Sequence, residues 1–250
     1  LRRHRVKTLA ASAKGKKTLK VFKTFRVSWD KLEIRQLHAW DVSTEQAIAI
    51  QEHLRQQVVR QGQVGRLRLV AGVDVGFEDG GKITRAAVAV LSFPDMERVE
   101  AAVAVRPTSF PYVPGLLSFR EAPAILEALS GLNSTPDLLV CDGHGIAHPR
   151  RLGIASHLGL LTGLPSIGVA KSILIGRHAP LGEQRGAWQP LVDQDEIVGA
   201  ALRTRPGVKP VYVSIGHHLS LETAIELVLC CTGKFRLPEP LRQAHQVASG

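Results

Sequence analysis

The chain has 250 residues, enough for one domain with a sizeable core or two small ones, and its 44% apolar content is ordinary for a globular protein. No run approaches the ~18 apolar residues of a membrane span, and three cysteines, two of them the adjacent Cys230 and Cys231, give neither a disulfide framework nor paired zinc spacings, which points to a reducing compartment. The net charge is +10, but residues 1–29 hold ten Lys or Arg and no acid, leaving 22 basic against 22 acidic residues elsewhere, so the basic balance does not by itself argue that the body binds nucleic acid.

Residues 1–40 stand apart as a basic extension, and residues 41–250 form one globular body. The extension fits three readings: an organelle transit peptide, a flexible arm that gains affinity from phosphates, or a disordered tail without a role. The body starts with a helix over 44–61, capped by Ser43 or Thr44. Residues 67–76 read as the first strong strand, and Asp74 interrupts its valines. A turn at 78–82 leads to strands over 84–93 and 97–106, so three consecutive strands form an antiparallel meander. The prolines of Phe110-Pro111-Tyr112-Val113-Pro114-Gly115 make a stiff loop that carries Tyr112, either as a wedge into a base stack or as a packed surface turn. A helix follows over 117–132 with Glu121 in its first turns, where an acid also suits the helix dipole.

Strand 137–141 leads into Asp142-Gly143-His144-Gly145-Ile146-Ala147-His148-Pro149-Arg150-Arg151. A helix over 152–162 and a strand over 166–170 ending at Lys171 come next. Residues 176–195 read as a loop with a short strand near Trp188. Strands over 197–203 and 211–215 precede His217, and a helix over 221–231 is closed by Leu237-Pro238-Glu239-Pro240. The tail from Arg242 carries little signal. The order gives an α/β fold: an antiparallel three-strand meander, then parallel and mixed strands, flanked by helices.

The stretch after residue 141 concentrates chemistry. A carboxylate at a strand's end can hold a metal ion, a histidine can move a proton, and Arg150 and Arg151 can meet phosphate. If the fourth strand pairs beside the first, Asp74 and Asp142 come side by side, and the intervening helix can bring Glu121 to the same cleft. Three carboxylates repel unless a divalent cation holds them, and hard oxygens suit Mg²⁺ or Mn²⁺ better than zinc. A zinc site would need His144, His148 and a third ligand.

Several segments resemble the endonuclease V family, the deoxyinosine 3′ endonucleases of RNase H-like fold. They are residues 71–77, 111–121, 142–150, 167–171, 216–217 and 236–240, and the likeness spans roughly Thr44 to Ala248. The resemblance implies Asp74, Glu121 and Asp142 as metal-binding and catalytic acids, with Mg²⁺ as cofactor and Mn²⁺ as a substitute. It implies catalytic roles for His148, Lys171 and His217. It also implies a strand-separating wedge at Pro111, Tyr112, Val113 and Pro114, and substrate contacts at Gly115, Gly143, Gly145 and Arg150. The implied activity is DNA repair by hydrolysis of the second phosphodiester bond 3′ to inosine. A monomer is the default, with a cytoplasmic location and no membrane association expected; a transit peptide would redirect the protein to an organelle. Three rivals stay open: an RNase H-like nuclease or resolvase with a different substrate, including one acting on inosine in RNA, a non-catalytic nucleic-acid binder, and an actin-like nucleotide-binding domain.

Overall fold

The computed structural model describes residues 32–62 and 64–249. Among them, eight strands form one sheet in the order β3-β2-β1-β4-β5-β8-β7-β6. The strands are β1 Leu69–Glu78, β2 Ile83–Ser92, β3 Arg98–Pro107, β4 Leu138–Cys141, β5 Ser166–Ala170, β6 Trp188–Asp193, β7 Glu196–Leu202 and β8 Val211–His217. The helices are α1 Thr44–Leu54, α2 Leu117–Ser130, α3 Ile154–Thr162, α4 Leu221–Cys230 and α5 Glu239–Ala248. The expected meander is present: β1 pairs antiparallel with β2, and β2 with β3. β4 joins β1 in parallel and β5 joins β4 in parallel, while β8, β7 and β6 extend the sheet antiparallel.

Each central strand is apolar on both faces because each face is covered. Ala71 and Val73 of β1 and Leu139 and Cys141 of β4 pack under α2 and α3. Val70, Leu138 and Val140 face the other way, with Ile225 of α4 and Leu241 of α5 in the same cluster. Alternating residues thus feed two cores, which explains why these strands read as continuous apolar runs.

Helix α5 crosses β1 at close range. A Cβ on Gly72 would lie 2.0 Å from the carbonyl oxygen of Pro240, so glycine is what lets the helix sit there. The sequence places residues 237–240 as the close of the preceding helix and offers little signal for the tail. The structure corrects both points: α4 stops at Cys230, Pro238 is the N-cap of α5, and Pro240 lies in its first turn. Proline is tolerated there because the first N–H groups of a helix lack intrahelical partners.

Smaller differences follow the same logic of local signals overrun by packing. α1 ends at Leu54 and continues as a 3₁₀ turn over Arg55–Gln57. Its start matches the expected cap, with Ser43 and Gln46 forming a reciprocal capping box. Residues 32–40, grouped by composition with the basic extension, lie on the body: Leu32, Ile34, Leu37 and Trp40 pack against the α2–α3 core, and the Arg35 N–H donates to the Leu161 carbonyl at 2.7 Å. Residues 1–31, with most of the extension's charge, lie outside the described residues.

Candidate active site

The parallel pairing of β1 with β4 ends at Val73 opposite Cys141. Asp74 and Asp142 are the next residues on each strand, so the two carboxylates emerge side by side at the carboxyl end of the sheet centre. Glu121 reaches the same place from α2. The three acids, with Val73, Ile125 and Ile154, line a cavity of about 190 Å³. Glu121 is 9% exposed and its carboxyl pKa is raised to about 8, chiefly by burial and then by the charges of Asp142 and Asp74.

Two nitrogen-bearing side chains attend this cluster. Lys171, directly after β5, forms an ion pair with Asp142. His245 of α5 donates from Nδ1 to Asp74 Oδ2 at 2.8 Å. Both lie on the wall of a second opening, with Asp142, Leu241 and Arg242. His245 was missed by the sequence reading. The signal that finds it is the helical spacing of Leu237, Leu241, Ala244 and Ala248, which makes residues 239–248 an amphipathic helix rather than a tail.

Among the described residues, no group of three His, Cys, Asp or Glu side chains is arranged to hold an ion as it stands. This applies to the acids as well as to His144 and His148, so the choice between them rests on donor chemistry. In the acid cluster the donors are three carboxylates, which are hard; Cys141 also lines that cavity, but burial keeps its thiol protonated. The mutual repulsion of the acids, which adds to burial in raising the Glu121 pKa, is what a divalent cation relieves. The donor set therefore fits a hard divalent cation held by Asp74, Glu121 and Asp142.

Beside the acids lies a second cavity of about 190 Å³, largely apolar, walled by Tyr112, Gly115, Gly143, His148, Leu152 and Ile154. Ile154 belongs to both cavities, and Gly143 follows Asp142 directly. Tyr112 projects at the lip, 71% exposed. His148 is 4% exposed, and both ring nitrogens are engaged. Nδ1 accepts from the Arg150 N–H at 3.2 Å, so Nε2 carries the proton and donates to the Gly115 carbonyl at 3.0 Å. Burial, and next the Arg150 charge, lowers its pKa to about 4, which keeps it neutral at physiological pH.

Several expected residues are placed differently. His217 ends β8 opposite Ser166, the first residue of β5, whereas Lys171 follows the last; it is therefore at the far end of the strands from the acids. Its ring is 3% exposed, and Nδ1 accepts from the Val59 N–H at 3.1 Å, so it packs the fold instead of facing the acid cavity. Gly145 donates to Ser214 Oγ at 2.8 Å, and a Cβ there would lie 1.9 Å from the Ile215 carbonyl oxygen; it seats the loop on β8 rather than lining the pocket. Arg151 is 9% exposed and tied to Asp193 at 2.8 Å and Glu196 at 2.6 Å, so it does not meet phosphate. Arg150 instead binds the aromatic loop, donating to the Gly115 carbonyl at 2.7 Å.

The mixed sheet with paired aspartates at adjacent parallel strand ends has the architecture of the RNase H-like nucleases. The family model for endonuclease V matches residues 52–246, and the chain belongs to the endonuclease V family. It is 61% identical over 219 residues to an endonuclease V of Trichormus variabilis, covering 87% of this chain and 99% of that relative. It is 60% identical to one from Roseiflexus castenholzii over 212 residues, covering 85% and 95% of the two chains. Among solved structures, the Streptomyces avermitilis endonuclease V matches with a TM-score of 0.81 at 44% identity, covering 88% of this chain and 96% of that one. A Ciona intestinalis endonuclease V, in complex with DNA containing an inosine followed by a ribo-adenosine, matches with a TM-score of 0.74 at 31% identity, covering 83% and 97%.

Proposed function

We propose that this protein recognises inosine in DNA and hydrolyses the second phosphodiester bond on its 3′ side, as a repair endonuclease using Mg²⁺, with Mn²⁺ as a substitute. The observation that carries the reading is the adjacency of the two cavities, which share Ile154 and are joined at Asp142–Gly143. The apolar cavity is smaller than the roughly 300–1,000 Å³ of a drug-sized site and suits one extruded base. A base held there leaves its 3′ backbone beside the acids.

Asp74, Asp142 and Glu121 would hold the cation, which when bound supplies polarisation of the phosphate and stabilisation of charge on the leaving oxygen. Lys171, set against Asp142, offers a positive charge to a phosphate oxygen or the attacking hydroxide. His245 fixes the orientation of the Asp74 carboxylate through its hydrogen bond. His148 acts as a neutral brace on the aromatic loop, because both of its nitrogens are committed within the protein. Tyr112 fills the gap that the extruded base leaves in the stack. Backbone groups at Gly115 and Gly143 read the base edge, and readout by hydrogen bonds separates inosine from adenine far better than shape alone.

A second reading, cutting next to a ribonucleotide, draws on the Ciona complex, whose DNA places a ribo-adenosine after the inosine. One experiment addresses both. Labelled duplex DNA and single-stranded RNA, each with one central inosine and an adenine control, are incubated with Mg²⁺ or with EDTA. The expected result is metal-dependent cutting of the inosine DNA, one nucleotide beyond the inosine's own 3′ linkage. Exclusive cutting of the RNA would transfer the assignment to the second reading. Selective inosine binding with no cutting of either would overturn the enzymatic reading.

A further inference from the structure

Gln51 of α1 also lines the apolar cavity, is 1% exposed, and makes three hydrogen bonds at its wall. Its Nε2 donates to the Gly115 carbonyl at 3.0 Å and to the Leu152 carbonyl at 3.1 Å, and its Oε1 accepts from Arg150 Nε at 2.5 Å. The orientation of the amide is determined by chemistry: guanidinium only donates and carbonyls only accept, so the oxygen must face Arg150 and the nitrogen must face the two carbonyls. Three N–H donors, from Gln51, His148 and Arg150, converge on the single Gly115 oxygen. That oxygen follows Pro111–Pro114 directly, at a backbone with φ +79°.

We infer that Gln51 is a positioning residue that ties the Tyr112 loop to α1 and to the Leu152 segment, and so sets the wedge against the base cavity for strand separation. The inference rests on the inosine-endonuclease reading. Without Gln51 the loop keeps His148 and Arg150 on the Gly115 carbonyl but loses its tie to α1 and the fixed orientation of Arg150, so the aromatic ring is held less firmly where a duplex must be parted. Pre-organisation of that kind matters for duplex substrate and little for a base that is already unpaired.

The test uses Gln51→Leu and the isosteric Gln51→Glu. The first removes all three hydrogen bonds; the second keeps the contact with Arg150 but turns a carboxylate oxygen on the two carbonyls. For wild type and both variants, kcat/KM is measured on inosine in duplex DNA and on inosine in single-stranded DNA. The ratio of the two is independent of how much enzyme is folded, so partial unfolding leaves it readable. Both variants are expected to lower the duplex-to-single-strand ratio about tenfold, the scale of one lost buried hydrogen bond, with the loss in KM for duplex rather than in kcat. In a double-mutant cycle with Arg150→Met, the two losses are expected to be less than additive. An unchanged ratio in both variants, with inosine-dependent cutting by wild type, overturns the role of Gln51 alone. Absence of inosine-dependent cutting by wild type overturns the function and this inference with it.

Discussion

Glu121 shows most directly how the site's electrostatics can be measured at one residue. Its carboxyl ionises near 4.5 in the ordinary case and near 8 in the folded protein, with burial the first cause and the neighbouring aspartates the next. Between those two pH values the folded state keeps a proton that the unfolded chain has released, so folding stability falls as pH rises through the interval. Glu121→Gln carries no such proton. In EDTA, the melting temperature of the wild type is expected to fall relative to that of the variant between about pH 5 and about pH 8, and Mg²⁺ is expected to restore it at the upper end. Parallel melting curves for the two proteins over that range would contradict this. Asp74 was legible in the sequence because an ionisable group among strand valines is anomalous, whereas Glu121, in the first turns of a helix, carried no such anomaly. Gln51 was not legible, since its partners Gly115 and Arg150 lie 64 and 99 residues away and a glutamine in an amphipathic helix carries no local anomaly. His217 was misplaced for a related reason: its position next to a strand end says nothing about which end of the sheet that is, and the antiparallel entry of β8 decides it.

At the level of elements, α5 carries more of the site than its sequence announces. It brings His245 to Asp74, and it lies so close to β1 that Gly72 has no room for a side chain. Gly72→Ala is expected to push the start of α5 away from the sheet and cost about 1–3 kcal/mol, the usual range for overpacking a close contact. Cutting should fall with it as His245 loses its register with Asp74. Urea unfolding and an inosine cleavage assay on the same preparation check both effects; full stability in the variant would mean that α5 is free to shift. The strands were legible because their apolar runs are short and bounded by turn residues, and the β1–β2–β3 meander because its connections are short. The start of α5 was misread because Pro238 and Pro240 are helix breakers inside a helix but ordinary residues at its beginning.

Across the whole molecule, one topological fact organises the rest. β4 inserts in parallel beside β1, and this brings residues 74 and 142 together at the sheet's carboxyl end, where α2 adds Glu121 and β5 adds Lys171. The second cavity adjoins the first because the loop after β4 runs from Asp142 straight into its wall. Among the described residues no helix is long and apolar enough to cross a membrane, and the charge that could draw the protein to nucleic acid lies mainly in residues 1–29. Selectivity for inosine is assigned to the base cavity and its loop, while the acids carry the chemistry. Asp142→Asn separates those two jobs most directly. Binding to inosine duplex in EDTA and cutting of the same duplex in Mg²⁺ are measured for wild type and variant. The account predicts binding that stays close to wild type and cutting that falls on the order of a thousandfold. Cutting near the wild-type rate would contradict the assignment of the acids, and loss of inosine-selective binding in a folded variant would contradict the division between recognition and chemistry.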